Sequence, residues 1–164
     1  MNLLLITDTF PPMRTSGAEL MYSLAQELLI KNHQVFVITP SSDLSSSVHI
    51  EWENGFTHIR VKSLKTKDIG YLRRTLAEWA NPFIMKWRLR NNSDFNEQSY
   101  DGIIWYSPTI FWGPLVSYLK NQFQCPSYLV LRDFFPDWAM HLNLLSQHGI
   151  PYKFFKLIER YQYR

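Results

Sequence analysis

A chain that opens with NLLLITD (Asn2 to Asp8) carries an apolar run with no alternation, the mark of a strand buried on both faces. Strands of that kind sit inside parallel sheets, and parallel neighbours cannot be joined by hairpins. Each needs a crossover of about a dozen residues or more, usually a helix. The following residues meet that demand. From Gly17, the residues Ala18, Met21, Leu24, Ala25, Leu28 and Leu29 recur at spacings of three and four, which predicts a helix to about Lys31. QVFVIT (Gln34 to Thr39) is the second strand, closed by Pro40 and a Ser-rich loop reaching Ser47. His49 to Trp52 predicts a short extra strand before the turn at Asn54-Gly55. FTHIRVKS (Phe56 to Ser63) alternates residue by residue, so a third main strand is expected nearer the sheet edge, with one polar face.

A helical region is predicted from Ile69 to Arg90, kinked or restarted at Asn81-Pro82 because proline removes a donor and clashes with the preceding turn. DGIIWY (Asp101 to Tyr106) is the fourth strand, ending in Ser107-Pro108. Thr109 to Asn121 reads as a helix with Pro114 near its first turn, where the missing donor costs least. Ser127 to Leu131 is the fifth strand, followed by a loop from Arg132 to Trp138. A last helix begins near Pro151 and is expected to continue at Arg164. Strands separated by helices define an α/β, doubly wound, mostly parallel Rossmann-like sheet, expected in the order 3-2-1-4-5. With 164 residues, 46% of them hydrophobic, the chain suits one domain with one sizeable core.

The 17 lysines and arginines are unevenly placed: nine lie between Arg60 and Arg90, against two acids, Asp68 and Glu78. That imbalance turns one face toward something anionic. A nucleic-acid partner is not expected, because no helix-turn-helix or aromatic strand motif accompanies the charge. No stretch reaches the roughly 18 to 20 apolar residues of a spanning helix. The single Cys125 suits a reducing cytoplasm and reads as a small core thiol. The five histidines show no metal-ligand spacing, so no metal site is expected.

Ligands of doubly wound sheets bind outside the carboxyl ends of the strands, where the strand order reverses. Three segments converge there: Asp8 to Ala18, Tyr106 to Thr109, and Arg132 to Trp138. Ser16, Gly17 and Ala18 open a helix whose free N–H groups favour an anion, and Gly17 lets a ligand approach the backbone. Ser16 with Glu19 also forms an S-x-x-E capping box, a reading compatible with the first. Neither G-x-G-x-x-G nor a P-loop is present, while Pro11-Pro12 stiffen the loop in advance of binding.

The segment NLLLITDTFPPMRTSGAELMYSLAQELLIKNHQVFVITP resembles the opening of bacterial family 4 glycosyltransferases of the GT-B fold, especially those of surface-polysaccharide biosynthesis. YDGIIWYSPTIFWG and LVLRDFFPDWAMHLNLL extend the resemblance along the whole chain. Two positions depart from it: Ser16-Gly17 stands where many relatives have Gly-Gly, and Asn32 replaces the Gly before His. The resemblance implies an acceptor-side, N-terminal domain that transfers sugar from a nucleotide-sugar co-substrate, without a resident cofactor, to a glycan or polyprenyl-diphosphate-linked acceptor. The donor-binding C-terminal domain of such enzymes, with its glutamate pair, is not in these residues. This implies either half of an enzyme, inactive alone, or a non-catalytic binding subunit of a separately encoded donor-binding partner. By resemblance, Ser16, Gly17 and Ala18 face the donor phosphates, while Arg132, Asp133 and Asp137 lie beside the reacting sugar. Asp133 is then a candidate proton acceptor; an Arg132-Asp133 pair that only steadies the loop is the alternative.

Arg73, Arg74, Trp79, Lys86, Trp87, Arg88 and Arg90 combine basic and aromatic character on one predicted helix. Such a helix can lie among anionic lipid headgroups, with each basic residue contributing about 1 kcal/mol, or it can face the core with its charges solvated. The expected location is cytoplasmic, with peripheral attachment at the inner face of the plasma membrane under the first alternative.

Overall fold

The computed structural model describes every residue except Pro108 and Arg164. Its six strands are β1 (Asn2–Ile6), β2 (Gln34–Ser41), β3 (Val48–Glu53), β4 (Phe56–Lys62), β5 (Gly102–Ser107) and β6 (Ser127–Leu131). Its helices are α1 (Ser16–Ile30), α2 (Tyr71–Arg90), α3 (Ser93–Asn96), α4 (Gly113–Phe123), α5 (Asp137–His141) and α6 (Ile150–Gln162). The sheet runs β3-β4-β2-β1-β5-β6. All neighbours are parallel except β3 and β4, a hairpin closed at Asn54-Gly55. Without β3, this is the order 3-2-1-4-5 expected from the sequence. The extra strand takes the edge and leaves β4 one position inside it.

Successive residues of β1 feed opposite cores, which is why the run has no polar position. Leu4 and Ile6 pack with Ile59, Val61, Met85, Leu89 and Leu115, between the sheet and the α2 and α4 helices. Leu3 and Leu5 pack with Met21, Ala25, Val35 and Phe56 under α1. Both faces of the central strand are therefore dry.

Three local expectations change. Helix α2 is continuous through Pro82, so the interruption at Asn81-Pro82 does not occur. Burial of Ala77 before Pro82 and of Met85 and Leu89 after it holds the helix on both sides of the missing donor. The Asn81 side chain adds a clamp: its Oδ1 accepts from the Leu64 N–H at 2.8 Å and its Nδ2 donates to the Leu64 carbonyl at 3.1 Å. Helix α4 begins at Gly113 rather than Thr109, with Pro114 in its first turn. The end of the expected Arg132 to Trp138 loop is already helical, as α5. The last helical residue is Gln162, capped by Tyr163; the expectation at Arg164 falls outside the described residues. Among the described residues, no helix is long and apolar enough to cross a membrane.

Candidate functional site

At the carboxyl ends of β1, β5 and β6, residues from three distant segments meet at the start of α1. The cap of this helix is Thr15, one residue earlier than the expected Ser16: Thr15 Oγ1 accepts from the Ala18 N–H at 3.2 Å and bonds Thr9 Oγ1 at 2.8 Å. Capping by Thr15 leaves the Ser16 hydroxyl free. Arg132 uses it, donating from Nη2 to Ser16 Oγ at 3.1 Å and from Nη1 to Tyr106 Oη at 2.8 Å. An exposed guanidinium thus lies beside the positive end of a helix. Together they form a corner that attracts anions.

Gly17 is required here by space. A Cβ at this position would come within 3.0 Å of Thr9 Cγ2 and of Tyr106 Oη, and within 3.2 Å of Arg132 Nη1. The room over Gly17 is therefore occupied by the protein's own Arg132 and Tyr106, where the sequence suggested room for a ligand. Gly17→Val is expected to lower stability by about 2 kcal/mol through overpacking and to detach Arg132 from Ser16. Thermal unfolding and the Arg132 Nε–Hε resonance check the two effects.

The other expected site residues separate. Asp133 is exposed and, among the described residues, makes no hydrogen bond or ion pair. Asp137 is turned to α6: it accepts from Tyr152 Oη at 2.8 Å and from Lys156 Nζ at 2.7 Å, and these two bonds hold its carboxyl below the usual range. Both of its oxygens are engaged in holding α6.

Asp8, read in the sequence as the end of a strand and the start of the first converging segment, is the residue the fold singles out. Its Oδ1 is buried without a hydrogen-bond partner, and burial pushes its carboxyl above the ordinary range, with Lys67 the main opposing influence. It lies at one end of a crevice of about 500 Å³ that runs past β2 and β4 to the β3–β4 hairpin. His58 lines the same crevice. It is 5% exposed, its Nε2 shares a 2.9 Å hydrogen bond with Thr39 Oγ1, and burial, aided by Arg60, lowers its pKa to about 4. Its Nδ1 faces Glu53 at 4.0 Å, beyond hydrogen-bond reach. Pairing across the hairpin sets Glu51 opposite His58, so the ligand atoms of Glu51, Glu53 and His58 lie within 4.8 Å of one another. No spacing of histidines in the sequence reports that proximity. Both Glu51 oxygens are already held, by Arg60 and by His49.

Helix α2 presents an apolar stripe to solvent. Leu72, Leu76, Trp79, Phe83 and Trp87 are each at least 47% exposed, at spacings of three and four, and exposed Arg73 and Arg90 flank them. Of the remaining expected surface cations, Arg74 is tied to Glu78 at 2.7 Å, Lys86 lies over the Tyr118 ring, and Arg88 is half-buried.

No family model matches the chain, and no curated protein matches its sequence. Among solved structures, apo UGT2 of Phytolacca americana superposes with a TM-score of 0.51 at 13% identity, over 91% of this chain and 34% of that one. The likeness is one of fold. It matches the six-stranded Rossmann-like sheet described above, and the chain spans about a third of UGT2's length.

Proposed function

We propose that this domain is the acceptor-side half of a glycosyltransferase. In this reading it transfers a sugar from a nucleotide-sugar to a glycan or polyprenyl-diphosphate-linked acceptor in surface-polysaccharide biosynthesis, as family 4 enzymes do. The donor-binding half is supplied by a second domain or subunit. The observation that carries the reading is the corner formed by Arg132, Ser16 and the start of α1 at the carboxyl edge of the sheet. There a diphosphate meets a guanidinium with donors to spare and the free N–H groups of a helix. The fold shared with UGT2, a UDP-glycosyltransferase, agrees with it.

Titration of the isotopically labelled chain with millimolar uridine diphosphate is expected to move the amide signals of Ser16, Gly17 and Ala18 and the side-chain signal of Arg132. Unmoved signals would overturn the reading. The outward stripe of α2 supplies the second element, attachment to an anionic lipid surface, with Trp79 and Trp87 at headgroup depth and Arg73 and Arg90 beside them. Flotation with phosphatidylglycerol vesicles should carry the protein upward, phosphatidylcholine vesicles far less so. Equal recovery with both would remove the anionic surface from the proposal.

A further inference from the structure

The β3–β4 hairpin carries a cluster that the sugar-transfer reading leaves unused. We propose that Glu51, Glu53 and His58 form a binding site for a zinc ion, with His58 ligating through Nδ1 and water completing the coordination. The proposal is independent of the sugar-transfer reading.

The strand pattern builds the site. VHIEWE (Val48–Glu53) alternates apolar and polar residues, so His49, Glu51 and Glu53 share one face while Val48 and Ile50 pack on the core from the other. The antiparallel register sets Glu51 opposite His58 and Glu53 opposite Phe56, on that same face. One ligand atom from each of Glu51, Glu53 and His58 therefore lies within 4.8 Å of the other two.

His58 distinguishes this cluster from a solvated group of acids. Its ring is 5% exposed, and Nε2 is engaged by Thr39 Oγ1 at 2.9 Å. Among the described residues Nδ1 makes no hydrogen bond; it faces Glu53 Oε2 at 4.0 Å, beyond that reach. Thr39 stands where the outer partner of a metal-bound imidazole stands. By accepting from Nε2–H it fixes the ring and leaves the Nδ1 lone pair for the metal. Tetrahedral zinc with bonds of about 2.0 Å sets neighbouring ligand atoms about 3.3 Å apart. The exposed Glu53 side chain needs only to close on His58 from 4.0 Å to that separation.

Glu51 can ligate without losing its anchor. Arg60 holds Oε1, while the Oε2 contact with exposed His49 is long, at 3.3 Å, and is the one a metal replaces. A ligating carboxylate that is itself hydrogen-bonded is the usual arrangement. Two carboxylates against the single Arg60 guanidinium leave the cluster negative. The crevice's other lysines, Lys65 and Lys67, are matched by Asp43 and Asp68. An imidazole among the ligands favours zinc over magnesium, which takes oxygen ligands.

The test is nuclear magnetic resonance titration of the chelator-treated 164-residue chain with zinc chloride, read on the imidazole nitrogens. The expected result is saturation at a single zinc ion per chain, with the His58 Nδ1 signal moved and the Nε2 proton retained. Magnesium chloride over the same range is expected to leave both signals in place. Glu53→Gln alters an exposed side chain, and its amide spectrum reports that the fold is retained. It is expected to weaken zinc binding about a hundredfold, the upper end of what loss of even an outer partner costs. Zinc that moves His33, His141 or His148 and leaves His58 in place would overturn the proposal. So would a Glu53→Gln chain that binds like the parent, magnesium that binds as well as zinc, or the lack of saturable zinc binding.

Discussion

Lys156→Met is expected to destabilise the domain by about 2 kcal/mol, because removing the partly exposed Lys156 leaves the buried Glu159 carboxylate without its cation. Lys156 Nζ bridges two carboxylates, Glu159 at 2.6 Å and Asp137 at 2.7 Å. Glu159 is only 3% exposed, and its remaining contact, from Tyr163 Oη, is long at 3.5 Å. The bridge matters more than its count of bonds suggests, since α6 docks through a largely polar row. Phe155 packs on Phe135, the Tyr161 ring lies against Gly113, and Gln162 donates to Ser107 Oγ at 2.9 Å, while Ile150, Phe154 and Leu157 point to solvent. Urea unfolding at neutral pH measures the loss. A second chain carrying Lys156→Met with Glu159→Gln should recover much of it by neutralising the stranded charge. A single variant as stable as the parent would show that α6 is held by other contacts.

A second large effect concerns acid. His58 has a folded-state pKa of about 4 against an ordinary value of 6.5. Between these values the unfolded chain binds a proton that the folded chain does not, so stability falls as pH falls. The contribution of His58 is complete above pH 6.5 and is lost progressively as pH drops toward 4. Its full size is about 3 kcal/mol, from 1.36 kcal/mol per unit of displacement. Asp137 adds a loss of the same sign at lower pH because its carboxyl is depressed, so the His58 part is read as a difference. Denaturant midpoints across pH 4 to 7 should slope for the parent and flatten for His58→Gln over the window between the two His58 values. Parallel slopes would mean that the buried imidazole titrates normally.

Both effects arise from groups whose importance is invisible in their local sequence. His58 sits in FTHIRVKS as one member of an alternating strand, and alternation places it on the same face as Phe56 and Arg60. Only the packing of Phe10 against its ring and the covering of that face bury it. Asp8 ends a doubly buried strand at the carboxyl edge of the sheet, and that position was the available signal for it. What the local pattern cannot supply is whether a donor reaches its oxygen. Arg132 was legible as a cleft residue, whereas its actual partners, Ser16 and Tyr106, lie 116 and 26 residues away. Asp137 was legible only as polar and near the same edge. Its engagement by Tyr152 and Lys156 depends on how α6 folds back.

The residues by themselves determine the alternation of strands and helices, the parallel order of the five main strands and the strand ends where a site can form. These follow from the period of apolar positions, which is local, and from the crossovers that parallel strands require. The tertiary structure alone decides which faces those helices bury. The stripes on α2 and α6 have helical spacing that is equally suited to a core, yet both point outward, because Ala77, Met85 and Leu89 on α2 and Phe155, Glu159 and Gln162 on α6 fit the body instead. Periodicity marks an apolar face; the shape and polar partners of the surface it meets choose the side that docks.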